Sequence, residues 1–283
     1  MEKRQFKFRR KDFNELRAIV CDRTGIQLKD GKEEMVYTRI SRRLRALDLE
    51  DFRAYLNLLK SKDGDSEAID FVNAMTTNLT RFFREGHHFT HMREDVLQSK
   101  VEGARAGVFD KKIRVWSAAC SSGMEPYSIG MTILASLPKH ANWDVRILAT
   151  DIDTNMLERG ETGIYREQDV DEVPPQLAER FVTIKDKKAH MSEELKSIVN
   201  FKHLNLMESW PIKQKFDVIF CRNVMIYFDK ETQRKLVRRF MELLDEQGVL
   251  YVGHAESLTV AQPGLVPVGR SAFRMTSKLE AVG

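Results

Sequence analysis

The stretch VWSAACSSGMEPYSIG, Val115 to Gly130, with VRILATDID, Val145 to Asp153, behind it, decides the fold. An apolar run, a turn of small residues, a helical stretch and a second apolar run closing on Asp151 open a nucleoside-binding α/β fold. Small residues let backbone N–H groups approach a ligand, and a carboxylate one βα unit later can accept hydrogen bonds from both ribose hydroxyls. The turn contains only Gly123, where dinucleotide fingerprints use three glycines and phosphate loops end in Gly-Lys-Ser/Thr. It carries Glu125 instead, at the start of the helix. That carboxylate would repel a pyrophosphate and attract the ammonium of S-adenosylmethionine (SAM), so SAM fits better than NAD or ATP.

Composition sets the frame around this unit. The 283 residues suffice for two domains, and 42% hydrophobic with 31% charged residues describes a soluble globular chain with a proper core. No apolar run approaches the roughly 20 residues of a membrane span. The start MEKRQFKFRRKDF lacks the apolar stretch of a signal peptide, so a cytoplasmic location is expected. Cys21, Cys120 and Cys221 lack metal-ligand spacing, which predicts reduced thiols and no zinc site. The net charge of +4 is small, but the N-terminal part is the basic part. Such a surface could attract RNA, an anionic membrane or an acidic protein segment.

Up to residue 76 apolar residues recur at helical spacing: Phe13, Leu16, Val20; Val36, Ile40, Leu44; Phe52, Tyr55, Leu56, Leu59; Ile69, Val72, Met75. Four short helices are predicted. From Ile113 the pattern alternates strand and helix: strands at 113–119, 145–150, 216–223, from Val249 and near 271–275, helices at 125–137, 154–160 and 230–244. A mainly parallel sheet wrapped by helices follows. Between Phe181 and Asn205 the alternation breaks into short pieces, read as a β-rich insertion or hairpin.

In a doubly wound sheet the ligand sits at the carboxyl ends of the strands. Those ends supply the Cys120–Glu125 loop, Asp151 to Asp153, Arg222-Asn223 with Tyr227, and His254-Ala255-Glu256, with Asn205-Leu206 as another wall. A helix cap or solvated loop is the expected role of His254 and Glu256. In NLTRFFRE, Arg81 and Arg84 alternate with Phe82 and Phe83, a combination able to bind a carboxylate. His87 and His91 share a helix face, but no third ligand is suitably placed, so no metal is expected. Cys221 is read as a small core residue. Arg39, Arg42, Arg43 and Arg45 flank Ile40 and Leu44, and four arginines without a lysine favour recognition of carboxylates or phosphates.

Six segments together resemble the bacterial chemotaxis receptor methyltransferases, the CheR family: TTNLTRFFREGHHF (76–89), VWSAACSSGMEPYSI (115–129), ATDID (149–153), GIYR (163–166), FCRNVMIYFD (220–229) and VGHAES (252–257). The resemblance implies an all-α N-terminal domain, residues 1–76, with a basic substrate-docking helix near 36–47. It implies a Rossmann-like SAM-dependent methyltransferase domain over 77–283, with a linker at 77–112 and a small β-subdomain insertion at about 181–205. The implied reaction is methylation of glutamate side chains on methyl-accepting chemoreceptors, the partners, with S-adenosylhomocysteine (SAH) as second product. Carried over position by position, the cofactor site comprises Asn78, Thr80, Arg84, Glu125, Asp151, Asn205, Leu206, Arg222 and Asn223. Arg84, Asp151 and Tyr227 match reaction-centre positions, and Arg39, Arg42, Arg43 and Arg45 fall on the docking helix.

Two departures stand out. The family loop commonly reads Gly-Glu-Glu-Pro, whereas Gly123-Met124-Glu125-Pro126 keeps only the second acid. The 181–205 insertion is also short for members whose β-subdomain docks a receptor's C-terminal peptide, which weighs against tail docking. The rival readings are an RNA or small-molecule methyltransferase and a SAM-binding sensor without activity. Nitrogen methylation commonly uses an Asn/Asp-Pro-Pro-aromatic tetrad, and the matching place reads Arg222-Asn223-Val224-Met225.

Overall fold

The structure, a computed structural model, describes residues 5–138, 142–256 and 262–276. Helices α1 (Arg10–Thr24), α2 (Glu33–Ala46), α3 (Phe52–Lys60) and α4 (Asp65–Met75) come first. Their apolar stripes, including Phe13, Leu16, Ile40, Leu44, Tyr55 and Phe71, close into one buried cluster. The Asp51 carboxylate accepts from Ala54 N–H and starts α3. Ile69, read as part of the apolar face of α4, is instead 51% exposed, and Phe71 takes the inward position.

Helix α2 turns part of its charge inward. Arg43 holds Glu67 at 2.6 and 2.9 Å and Asp70 at 2.6 Å. Arg39 donates to the carbonyls of Ala74, Met75 and Thr76, the otherwise unsatisfied end of α4. Arg42 and Arg45 stay on the exposed face.

The chain continues through an irregular stretch into α5 (His87–His91), a π turn (Met92–Leu97) and α6 (Gln98–Arg105). Then follow β1 (Lys112–Ala118), α7 (Met124–Ser136), β2 (Asp144–Asp151), α8 (Thr154–Thr162), β3 (Ile164–Arg166) and α9 (Pro175–Phe181). Next come β4 (Val182–Lys185), β5 (Lys188–Met191), α10 (Glu193–Lys196), β6 (Val199–His203) and β7 (Phe216–Cys221). The series ends with α11 (Lys230–Leu243), β8 (Leu244–Val252), β9 (Leu265–Gly269) and β10 (Ala272–Met275).

Seven strands form one sheet in the order β6-β2-β1-β7-β8-β10-β9. The pairs from β6 to β8 are parallel, and β10 and β9 add antiparallel pairs at one edge. Every residue of β7 is buried, which is why it reads as an unbroken apolar run. The chain leaves β1 toward β2 on one side and later returns to β7 on the other, so their carboxyl ends open a crevice. Strand β9 was not anticipated because Pro267 interrupts it, and an edge is where a strand tolerates proline.

The 181–205 segment is divided rather than forming one insertion. Strands β4 and β5 pair as a hairpin and recruit β3 from outside the expected bounds, giving a separate three-stranded sheet. Strand β6 joins the main sheet in parallel with β2, burying Val199 and Phe201. Those two alternate residues give β6 a core face, and the hairpin has a second partner only because Tyr165 and Ala189 face the same cluster.

Candidate active site

Loops from the carboxyl ends of β1, β2, β6 and β7 surround a cleft. Ala119 to Ser121 and Glu125 line it from the β1 side, Asp151 from β2, Leu204 to Leu206 after β6, and Arg222, Asn223 and Tyr227 after β7. Asn78, Thr80 and Arg84 enter from the stretch between α4 and α5. All nine cofactor positions carried over from the family, and Tyr227, therefore line one cleft. Thr24 and Ile26, from the end of α1, complete a wall. No sequence signal marked them, because a helix end and its following loop look the same whether or not another domain lies against them.

The β1 loop is built on left-handed backbone. Ala119, Ser121 and Gly123 have φ of 60°, 49° and 86°. A side chain at Gly123 would place its Cβ 2.9 Å from Gly160 Cα and 3.0 Å from both Phe201 Cζ and the Tyr165 hydroxyl. This turn aims Ser121 N–H at Asp151 Oδ2, 2.7 Å away, while Asp153 N–H reaches Oδ1 at 2.9 Å. Asp151 is 6% exposed, and burial pushes its carboxyl up to about 6, against the pull of those two N–H donors. An acid this poorly solvated gains from any further donor, such as a ribose hydroxyl.

Glu125, in the first turn of α7, accepts from the Ser117 hydroxyl at 2.7 Å and from Arg222 Nη1 at 3.1 Å. Burial raises its pKa above the usual carboxylate value, and Arg222 and Ser117 oppose the rise. Arg222 also lies 3.8 Å from Glu85 Oε2, donates to the Arg84 carbonyl, and stacks 6.0 Å over Phe89. Its Nε is buried without a partner. A carboxylate and a guanidinium side by side match the ammonium and carboxylate of an amino acid. Met124, at the departure from the family loop, is buried in the core and does not line the cleft.

Other expected residues spend their polar atoms inside the protein. Asn78 donates to Asp153 at 2.7 Å and to Thr76 at 3.0 Å, and Thr76 donates to Asp153 at 2.6 Å. Asn205 donates to the Arg23 carbonyl at 2.8 Å, and the Tyr227 carbonyl accepts from Gln27 N–H at 2.8 Å. Arg84 donates to the Leu79 carbonyl at 2.7 Å. Arg81 pairs instead with Glu172, so the two arginines of NLTRFFRE do not act as one clamp.

Glu85, His87 and His88 each bring one ligand-type atom within 4.8 Å of the others, while His91, the expected partner of His87, bonds the Tyr251 hydroxyl at 2.7 Å instead. The adjacent Arg222 guanidinium opposes a second cation there. Burial first, and Arg222 second, hold the His88 ring down at about 3, leaving it neutral. Cys221 is fully buried with its thiol pushed up by burial, the behaviour of a core residue.

Glu256 differs most from expectation. It is 2% exposed rather than solvated, and its carboxylate gathers backbone N–H groups of the loop after β7. His254 is exposed as expected. Ser257, the last residue of VGHAES, lies outside the described residues.

A mainly parallel sheet with a cleft at its switch point is the arrangement of a nucleoside-binding α/β protein, and the family match makes it a SAM-dependent methyltransferase. The chain belongs to the CheR methyltransferase family: the family's SAM-binding domain matches residues 78–270 and its all-alpha domain residues 11–76. It is 40% identical over 271 residues to the chemotaxis protein methyltransferase of Escherichia coli, covering 93% of this chain and 90% of that protein. It is also 40% identical over 276 residues to chemotaxis protein methyltransferase 2 of Pseudomonas aeruginosa, covering 95% and 94%. Among the described residues no helix is long and apolar enough to cross a membrane.

Proposed function

We propose that the chain transfers the methyl group of SAM to glutamate side-chain carboxylates of chemoreceptors, forming γ-glutamyl methyl esters. The observation that carries this reading is the meeting of Asp151, the Glu125–Arg222 pair and Tyr227 in one cleft of a CheR-family chain. When bound, SAM supplies an electrophilic methyl group on a cationic sulfur. Asp151 accepts the ribose hydroxyls. Glu125 and Arg222 hold the two charged ends of the methionine part. Tyr227 faces the sulfonium region, and Arg84 orients a carboxylate rather than activating it, since a tight grip would reduce its nucleophilicity.

A glutamate carboxylate with a pKa of about 4.3 is already ionised near neutrality, so no general base is needed. Among the described residues no histidine lines the cleft. A cation and an anion disappear together in the transfer. Catalysis then comes from alignment and from replacing water around both charges by fixed protein groups. Retention of Glu125 with Met124 buried in the core supports activity over the inactive-sensor reading.

On the docking helix, Arg42 and Arg45 are the arginines that would meet an acidic receptor face, while Arg39 and Arg43 shape the bundle that presents them. The deciding experiment transfers labelled methyl from SAM to chemoreceptor membranes. Label released as methanol by mild base is expected, and base-stable label would overturn the proposal.

A further inference from the structure

The loop after β7 supplies five lining residues of the cleft, Arg222, Asn223, Val224, Tyr227 and Phe228, yet its own geometry is awkward. Asn223 has φ of 58°, a left-handed conformation that asparagine tolerates better than most side chains but still at a cost relative to glycine. Two buried side chains brace the loop. Gln233 of α11 donates to the carbonyls of Met225 and Phe228, at 2.6 and 3.0 Å. Glu256, beyond β8, accepts from Gly253 N–H at 2.6 Å and Asn223 N–H at 2.9 Å on one oxygen, and from Ile226 N–H at 3.2 Å on the other.

The approach of Glu256 depends on Gly253. A Cβ there would lie 2.7 Å from Glu256 Oε2, 2.6 Å from Asn223 Nδ2 and 2.9 Å from Asn223 N. The missing side chain leaves the gap through which the carboxylate reaches the loop. Bonds from N–H groups to an ionised acceptor are stronger than neutral ones, and this acceptor is desolvated.

We propose that Glu256 is a positioning residue for methyl transfer: its carboxylate pins the 222–227 backbone so that Arg222, Asn223 and Tyr227 meet cofactor and substrate in register. The assignment rests on the reading of this cleft as the methyl-transfer site. Glu256 touches neither reactant, since it acts through the backbone of residues that do. A carboxylate is required because a carboxamide in the same place would turn an N–H₂ donor toward N–H donors on one side. Misplacement of reacting groups by about 1 Å can cost on the order of 100-fold in rate.

The test compares wild type with Glu256→Gln and Glu256→Asp, the second keeping the charge with a shorter reach. Unfolding midpoints, SAH affinity by calorimetry, and kcat and KM for receptor methylation are measured on each. Both variants are expected to stay folded, with SAH bound more weakly and kcat per folded molecule down by about 10-fold or more. If they lose only thermal stability while SAH affinity, kcat and KM stay at wild-type values, Glu256 is merely structural and the proposal falls. Should Glu256→Gln fail to fold, Glu256→Asp decides by the same criteria. Wild type that binds SAH yet makes no base-labile ester would overturn the substrate reading alone, leaving Glu256 to be judged on SAH affinity.

Discussion

Arg222 Nη1 lies 3.1 Å from Glu125 Oε2, so the end of β7 and the start of α7 meet as a buried ion pair inside the cleft. Removing Arg222 leaves the Glu125 charge with the Ser117 hydroxyl but no guanidinium beside it, and unpairing a buried charge typically costs about 3–5 kcal/mol. Arg222→Leu is therefore expected to lower the denaturant midpoint markedly and to abolish measurable SAH binding. Glu125→Gln, which keeps a hydrogen-bond acceptor beside Arg222, is expected to fold better and still bind SAH weakly. Chemical denaturation and calorimetry on the two variants check the asymmetry.

Asp151 sets a pH dependence. Its folded-state pKa of about 6 stands above the unfolded value, so the folded form holds a proton that the unfolded form has released. Stability from this group is highest below the unfolded value and falls as pH rises from about 4 to 6, by about 3 kcal/mol in all. Ribose hydroxyls favour the ionised form, so SAH binding is expected to weaken below pH 6 and to release protons near it. Calorimetry in buffers of different ionisation enthalpy measures that release. Asp151→Asn should flatten the profile and weaken binding at pH 7.5.

Gly123 is held at φ 86° with three neighbours at contact distance of a would-be Cβ. Gly123→Ala is expected to destabilise by on the order of 1–3 kcal/mol and to weaken SAH binding, because relief moves Ser121 away from Asp151. Thermal unfolding with and without SAH separates the two effects.

The four arginines of α2 should divide into two pairs. Charge reversal of Arg42 and Arg45 is expected to raise KM for receptor several-fold at low salt and to remove its ionic-strength dependence, with SAH affinity unchanged. Arg43→Ala should instead unfold the bundle more readily, since Glu67 at 5% exposure loses its counter-charge. Kinetics across a salt series, with melting curves, distinguishes them.

Leu79 is 80% exposed at the cleft, an unusual place for a large apolar side chain. Leu79→Ser is expected to raise KM for receptor with little change in SAH affinity. An unchanged KM would show that the receptor segment does not reach it.

The helices of the N-terminal bundle and the strands β1, β2, β7 and β8 were legible because burial on one face or both writes a period into the residues. Cofactor positions were legible because strand ends are where such folds place ligands, and the family resemblance named the residues. Less visible were facts that depend on a partner far along the chain. Arg43 looked like surface charge because Glu67 and Asp70, more than twenty positions away, carry no mark of facing it. Glu256 looked like a cap because the backbone N–H groups of Gly253, Asn223 and Ile226 that it gathers leave no mark in the sequence. The split of 181–205 required knowing that β3 would pair with β5, a choice made by packing around Tyr165.

The two main-chain ties, Asn205 to the Arg23 carbonyl and Gln27 N–H to the Tyr227 carbonyl, have a consequence for how the molecule can be dissected. Severing the chain after Thr76 would strip Thr24 and Ile26 from around the cofactor and strand the Asn205 amide. The catalytic half alone would be a damaged enzyme rather than a minimal one. Conversely, saturation with the methyl donor would slow amide exchange in helices that share no atom with it.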